Sequence, residues 1–342
     1  MNIQHPAMCA CGSTLLIPTH EPAHLGIRND APNLVDDEGK AKDTVHGVVL
    51  ENLGQNRVLA RGSTALITKG VLNQTIKDEK NGTEYNISGR VILKTLEIRK
   101  GMDFKVANRR FSRELRVWQE LCHINIAPLL GTWNDIQKPS LTRIPTLVTI
   151  YYESGNIAEF SDRNRRDISV LEHLNSGVQS GLCYLHGKDI VHADLKPDNI
   201  QIDESGSPRI LDFGFSKIAD EPGFTTKNSS KSSFYREPEY GNGKGEIQVA
   251  LEGKGRGKGS KKGDVWAFAM VALRIYSGSE PYAPQQDITA FRADWLTKGS
   301  PPPFGRKSEV PREIWETLLP CWSVEPASRP EITEIILPIF TT

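Results

Sequence analysis

Four side chains in one stretch have the types and spacing for chemistry. Asp194, Lys196 and Asn199 fall within six residues, and Asp212 follows 18 positions after Asp194. They stand in Ile190-Val191-His192-Ala193-Asp194-Leu195-Lys196-Pro197-Asp198-Asn199-Ile200 and then in Leu211-Asp212-Phe213-Gly214. This places one carboxylate, one ammonium and one amide on a single loop, and a hairpin brings a second carboxylate. Such a set suits phosphoryl transfer. A carboxylate positions and deprotonates a hydroxyl, a cation neutralises the moving phosphoryl group, and an amide plus a carboxylate hold Mg2+.

The elements that must position these groups are legible as periodicity. Between Val48 and about Lys94 lie short β-rich runs, Val48–Leu50, Val58–Ala60, Ala65–Ile67 and Val91–Leu93. Gly and Asn punctuate them, which predicts an antiparallel sheet. The spacing predicts a helix over 108–122, with Phe111, Leu115, Trp118 and Cys122 on one face. A strand pair is expected near 127–133 and 145–151. Past Tyr152 the pattern turns helical. Leu171, Leu174, Val178, Leu182 and Leu185 form one apolar stripe; Val265, Phe268, Ala269, Ala272 and Ile275 form another. The fold class read from this order is α+β and bilobal: a small antiparallel sheet lobe with one helix at 48–152, and a larger, mainly helical lobe at 153–342.

Two segments stand outside that scheme. Residues 1–47 are rich in Pro, His, Asn and Asp without periodicity, and read as an irregular or disordered extension. Cys9-x-Cys11 with His20 and His24 is tighter than the usual zinc spacing, so a tail is favoured over a metal site. Residues 241–263 hold eight Gly and six Lys/Arg against two Glu, and read as a solvated surface insert.

Composition narrows the function classes. Lys+Arg and Asp+Glu are both 42, so no global basic field favours nucleic acid or an acidic membrane. Nucleic acid is not an expected partner, and the basic insert 241–263 is the sole candidate for one. No apolar run approaches the ~20 residues of a membrane span, and no signal peptide is visible. Five cysteines are an odd number, and three lie in apolar periodic stretches. They are expected to be reduced thiols of a cytoplasmic protein, with the nucleus as the other compartment.

The loop and the Asp212 motif resemble the eukaryotic protein kinases, whose catalytic loop runs H-R-D-L-x-x-x-N and whose metal motif is D-F-G. More of the chain is similar to that family. Val91-Ile92-Leu93-Lys94 resembles V-A-I-K, which makes Lys94 the contact of the α/β-phosphates and Glu114 its ion-pair partner. Leu147–Gly155 resembles the strand and hinge that read adenine, with Thr149 as gatekeeper and the backbone of Ile150 and Tyr151 facing the base. Gly62 and Ile67 lie in the stretch matching the Gly-rich loop. Glu237-Pro238-Glu239 resembles A-P-E, Asp264 the aspartate that ties to the catalytic loop backbone, and Arg329 the arginine that pairs with Glu239. The resemblance spans about Val48 to Phe340. It implies the bilobal protein kinase fold, ATP and Mg2+ as cofactors, and a protein substrate. Asp194 would be the base, Lys196 the partner of the γ-phosphate, and Asn199 and Asp212 the metal ligands. The loop resembles the serine/threonine type, and the Cys321-Trp322 segment the tyrosine-kinase-like branch. Oligomeric state has no signature in the sequence.

Four departures from the family pattern matter. Only Gly62 is kept from the Gly-rich loop, and backbone amides approach phosphates most closely where Cβ is absent. Ile92 stands where an alanine roofs the adenine. Gln201 stands where an apolar floor is usual. Ala193 replaces the arginine that clamps a phosphate on the activation segment, a segment where Ser232 stands at the place of the family's threonine that faces the catalytic loop. The first three favour the alternative of a pseudokinase scaffold; the complete set of charged and amide positions favours an active enzyme.

Overall fold

The computed structural model describes residues 48–49, 58–61, 65–77, 84–96, 104–133, 144–218, 235–237, 259–281 and 310–340. The chain divides into two compact units, Met1–Tyr151 and Tyr152–Thr342. The fold is α+β: the described part of the first unit is an antiparallel sheet with one helix, and that of the second is mainly helical.

The sheet of the first unit has six strands: β1 (Val48–Val49), β2 (Val58–Arg61), β3 (Ala65–Lys77), β4 (Glu84–Leu96), β5 (Leu129–Trp133) and β6 (Thr146–Ile150). Their order is β1-β3-β4-β6-β5, with β2 also paired to β3. The short apolar runs of the sequence lie inside much longer strands, because β3 and β4 are 13 residues each and pair along their whole length. Directly opposed residues of antiparallel strands share a face, so the register sorts the side chains. Leu72, Val91, Leu93 and Val148 form a buried core cluster on one face. Opposed pairs Ile67–Lys94 and Ile92–Thr149 share the other face. The helix α1 runs Phe104–Gln119, starting and ending earlier than the expected 108–122. Ala107, Phe111, Leu115 and Trp118 are all buried, at spacings of three and four. Trp118 Nε1 donates to the Ala127 carbonyl at 2.7 Å, which pins the end of α1 to the segment entering β5.

In the second unit α2 (Ile157–Arg163) begins at Asn156, whose side chain accepts the Glu159 N–H. The following helix α3 (Ile168–Gly187) begins at Asp167, which accepts two backbone N–H groups. Leu171, Leu174, Val178, Leu182 and Leu185 are all buried, the stripe read from the sequence. Each such side chain contributes about 1.5–3 kcal/mol of gross burial energy. Four short strands among the described residues flank the loop: β7 (Ile190–Val191), β8 (Ile200–Ile202), β9 (Pro208–Ile210) and β10 (Lys217–Ile218), with β7 paired to β10 and β8 to β9; an isolated bridge joins Asn156 and Gln201.

Helix α4 (Lys261–Ser277) departs from a one-stripe helix, because every residue from Gly263 to Ser277 is buried. A helix covered on all sides is a core element. Its buried arginine is paired: Arg274 makes a two-pronged contact to Asp162 at 2.9 and 2.7 Å and donates to Glu280 at 3.1 Å. Gly278 ends the helix at a φ of 67°, and the Arg165 guanidinium lies where a Cβ would stand. A last helix, α5 (Arg312–Leu318), precedes the C-terminal segment.

Two expectations are corrected here. The tail of the proposed insert 241–263 is ordered: Gly259 is buried against Ala193, Ser260 caps α4 through the Gly263 N–H, and 261–263 form the first turn. The cap and the close backbone approach require that order. Second, Cys183 and Cys321 are free thiols, but Cys122 is disulfide-bonded, against the expectation of reduced cysteines throughout. The segment 1–47, with Cys9, Cys11, His20 and His24, and residues 241–258 lie outside the described residues. No helix among the described residues is long and apolar enough to cross a membrane.

Candidate active site

The loop from His192 to Asn199 is held from beneath by one buried carboxylate. Asp264, near the start of α4, accepts the backbone N–H of His192 on Oδ2 and that of Ala193 on Oδ1, both at 2.8 Å. His186 Nε2 meets Oδ2 at 3.0 Å. This grip offsets backbone strain, because Ala193 stands at a φ of 63°. An alanine in the left-handed region costs roughly 1–2 kcal/mol.

The His192 ring joins the loop to the Asp212 motif. Its Nδ1 accepts the Asp194 N–H at 3.2 Å, so the proton sits on Nε2, which donates to the Leu211 carbonyl at 3.0 Å. The same ring meets Phe213 edge-on at 5.5 Å between centroids. Leu211 is held again when its N–H donates to the Asn199 carbonyl at 2.8 Å. Asp212 follows in a left-handed conformation, φ 65° and ψ 76°, and its side chain accepts the Gly214 N–H.

Asp194, Lys196 and Asn199 are brought together. Lys196 Nζ lies 2.9 Å from Asp194 Oδ2. Asn199 Nδ2 donates to the Asp194 carbonyl at 2.8 Å and to Asp194 Oδ2 at 3.2 Å. Those bonds commit the amide nitrogen and leave the carbonyl oxygen as the end that can face a cation. An amide oxygen plus the Asp212 carboxylate are hard donors of the kind Mg2+ takes alongside water and phosphate oxygens. The donor set therefore fits Mg2+. Among the described residues no cluster of three or more His, Cys, Asp or Glu offers an all-protein metal cage.

A contact absent from the sequence reading completes the group. Arg236 Nη2 donates to Asp194 Oδ1 at 2.6 Å, and both side chains are nearly closed to solvent, at 8% and 3%. Nothing in local spacing signals a pair 42 positions apart. The residue before it is anchored separately: Tyr235 OH donates to Glu280 Oε2 at 2.7 Å. Burial, then the Glu280 charge, push the Tyr235 hydroxyl well above its ordinary range, so it remains a donor.

In the first unit, Lys94 Nζ and Glu114 Oε1 stand 2.6 Å apart, and Glu114 is buried. Ile67, Ile92 and Thr149 lie on the sheet face that carries Lys94. The Thr149 hydroxyl donates to the Pro128 carbonyl at 2.8 Å. Ile150 ends β6 opposite Val91. The Tyr151 N–H donates to the Arg90 carbonyl at 3.1 Å, one residue beyond the end of β6. The Tyr151 ring carries the Lys69 ammonium, 3.8 Å from the centroid. In the second unit the Gln201 amide turns back to the Asp198 carbonyl at 3.3 Å. Gly62, Ser232 and Glu239 lie outside the described residues. Arg329 is fully buried over the Trp266 ring and donates to the Ser323 and Lys262 carbonyls.

Comparison with known proteins agrees with this chemistry. The model of a family described as protein tyrosine and serine/threonine kinase matches residues 53–339. A mitogen-activated protein kinase kinase kinase of Pyricularia oryzae is 29% identical over 238 residues, which cover 66% of this chain and 14% of the relative. The receptor-interacting serine/threonine-protein kinase 1 of Homo sapiens is 29% identical over 269 residues, 72% of this chain and 36% of the relative. A leaf rust 10 disease-resistance locus receptor-like protein kinase of Arabidopsis thaliana is 27% identical over 315 residues, 84% of this chain and 46% of the relative. The chain thus spans less than half the length of each of these three relatives.

Proposed function

The chain belongs to the protein tyrosine and serine/threonine kinase family, and we propose that it transfers the γ-phosphoryl group of ATP to a serine or threonine hydroxyl of a protein substrate. The observation that carries this reading is the Asp194–Lys196–Asn199 constellation, a buried carboxylate with an ammonium at 2.9 Å and an amide bracing both its backbone and its side chain. Asp194 orients the acceptor hydroxyl and takes its proton. The hydroxyl oxygen bonds to the γ-phosphorus as the bond to the β,γ-bridging oxygen breaks, and ADP departs. Lys196, 2.9 Å from Asp194 Oδ2, would offset charge on the transferring group. Asn199 and Asp212 would hold Mg2+, which supplies charge neutralisation on the phosphate oxygens. Lys94, braced by Glu114, would hold the α/β-phosphates, with Gly62, Ile67, Ile92, Thr149, the Ile150 carbonyl and Gln201 around the nucleotide.

A second reading, a pseudokinase used as a binding module, draws on Ile92 and on the polar Gln201. We place the protein in the cytoplasm, with the nucleus as the other compartment. A thermal-shift and radiolabelled phosphate-transfer assay with Mg·ATP, run beside Asp212→Ala, separates the two functions. Stabilisation with label transfer, lost in the variant, supports the enzyme. Stabilisation without transfer supports the binding module.

A further inference from the structure

Asp194 already has a partner on each carboxylate oxygen. Oδ2 takes Lys196 and Asn199, and Oδ1 takes Arg236 at 2.6 Å. The acid is also almost closed to solvent, at 3% for its side chain. An acceptor hydroxyl that is to give its proton to Asp194 must reach one of these oxygens at hydrogen-bond distance. Lys196 and Asn199 belong to the same loop, and their contacts are part of the site. The partner that comes from elsewhere in the sequence is Arg236.

Displacing Arg236 has a cost that depends on what replaces the carboxylate. Breaking a buried ion pair by removing one partner leaves a charge uncompensated in a dry place. A peptide that brings only a hydroxyl relieves Asp194 but offers the guanidinium no counter-charge. A peptide with a carboxylate beside the hydroxyl offers one, and the fork geometry of arginine matches a carboxylate. The backbone need not travel for the exchange, because Tyr235 is held by Glu280, which is itself held by Arg274.

We propose that Arg236 selects the acceptor: its guanidinium blocks Asp194 Oδ1 until a substrate presents a Glu or Asp next to the acceptor Ser or Thr, which takes the guanidinium over and opens the carboxylate to the hydroxyl. The inference rests on the phosphotransfer reading above and names the substrate class for it, an acidic peptide segment. It makes Arg236 a specificity residue and a self-blocking one at once.

The test uses the full chain with Mg·ATP and two peptides that differ only in Glu or Gln on either side of one serine. We expect wild type to favour the Glu peptide by about tenfold in kcat/KM, the scale of one partly buried charge pair. Arg236→Gln should lose that preference, chiefly by gaining rate on the Gln peptide. Arg236→Lys, which keeps the charge without the fork, should retain part of it and serves as the informative variant if Arg236→Gln melts too low to assay. An equal preference in wild type and both variants would overturn the inference and leave the enzyme reading intact. So would a preference for the Gln peptide. Should wild type transfer label to neither peptide, the enzyme reading fails. Fluorescence anisotropy then decides the arginine contact alone: tighter binding of the Glu peptide by wild type than by Arg236→Lys supports it, and equal binding rejects it.

Discussion

The Oδ1 atom of Asp264 accepts the Ala193 N–H at 2.8 Å, and Ala193 itself stands at a φ of 63°. The strained residue and the carboxylate that holds it are 71 positions apart. The turn that aims Asp194 is therefore set by the start of α4, and not by the local preference of an alanine. Active-site strain of this kind persists where surrounding structure over-determines it.

Asp264→Ala should destabilise the second unit by about 3–5 kcal/mol, because two buried N–H donors and His186 lose their acceptor together. Asp264→Asn should cost nearly as much. An amide keeps one acceptor oxygen but turns an NH2 group toward the second N–H. Hydrogen exchange measured at the His192 and Ala193 amides checks this, with loss of protection expected in both variants. Retained protection in Asp264→Asn would mean that one acceptor suffices.

Gly259 fits because residue 193 is small. A Cβ built at Gly259 would lie 2.5 Å from the Ala193 Cβ and 3.2 Å from its Cα. Gly259→Ala should therefore cost about 1–3 kcal/mol by overpacking. Ala193→Gly in the same chain should recover most of it, since it removes the opposing methyl group. A double-mutant cycle of melting temperatures reads the coupling, and simple additivity would show that the two residues do not press on each other.

How much of this was legible in the sequence follows from where each constraint originates. The Asp194–Asn199 loop was readable because its acid, cation and amide are neighbours in the chain. Lys94 and Ile92 were placed by the resemblance of Val91–Lys94 to the V-A-I-K motif. The full length of β3 and β4 was not, because polar residues such as Thr68, Lys69 and Asn73 interrupt the apolar runs while the ladder continues through them. Nor was the complete burial of α4: Arg274 looks like a solvent-facing charge until its partner Asp162 is placed, whereas the tie of Asp264 to the loop backbone was expected from the family resemblance. The Arg236–Asp194 pair and the packing of Gly259 on Ala193 arise from the tertiary path alone. The bond of the Tyr151 amide to the Arg90 carbonyl likewise comes from strand pairing that extends one residue beyond β6.

Asp203 gives a pH signature. Burial pushes its carboxyl up, but the Ser205 hydroxyl, the Arg209 charge and the Ser207 N–H outweigh that and hold it below its ordinary value of 3.8. A carboxyl lowered in the folded state binds its proton later than in the unfolded chain. Its stabilisation is therefore fully present above about pH 4 and is lost as pH falls through the folded value. Asp203→Asn should lower stability at pH 6, and the gap from wild type should narrow as the pH falls below about 4. Urea unfolding across that range is the measurement, and a gap constant with pH would place the effect in the turn geometry of 203–207 instead.

Lys94 and Glu114 should not be equivalent in mutation, although they form one ion pair at 2.6 Å. The carboxylate is the more enclosed partner, with 4% of its side chain exposed against 15% for the lysine. Removing the cation strands charge in the drier position, whereas neutralising the acid leaves the ammonium nearer water and still facing an amide oxygen. Lys94→Met should cost about 3–5 kcal/mol by the rule for broken buried pairs, and Glu114→Gln about 1–2 kcal/mol as a charged hydrogen bond becomes a neutral one. Nucleotide affinity should rank the same way, because Lys94 is the proposed phosphate contact and Glu114 only braces it. Denaturant unfolding and ATP titration of the two variants test both orders. Equal losses of stability would show that the pair is as well solvated at the carboxylate as at the ammonium.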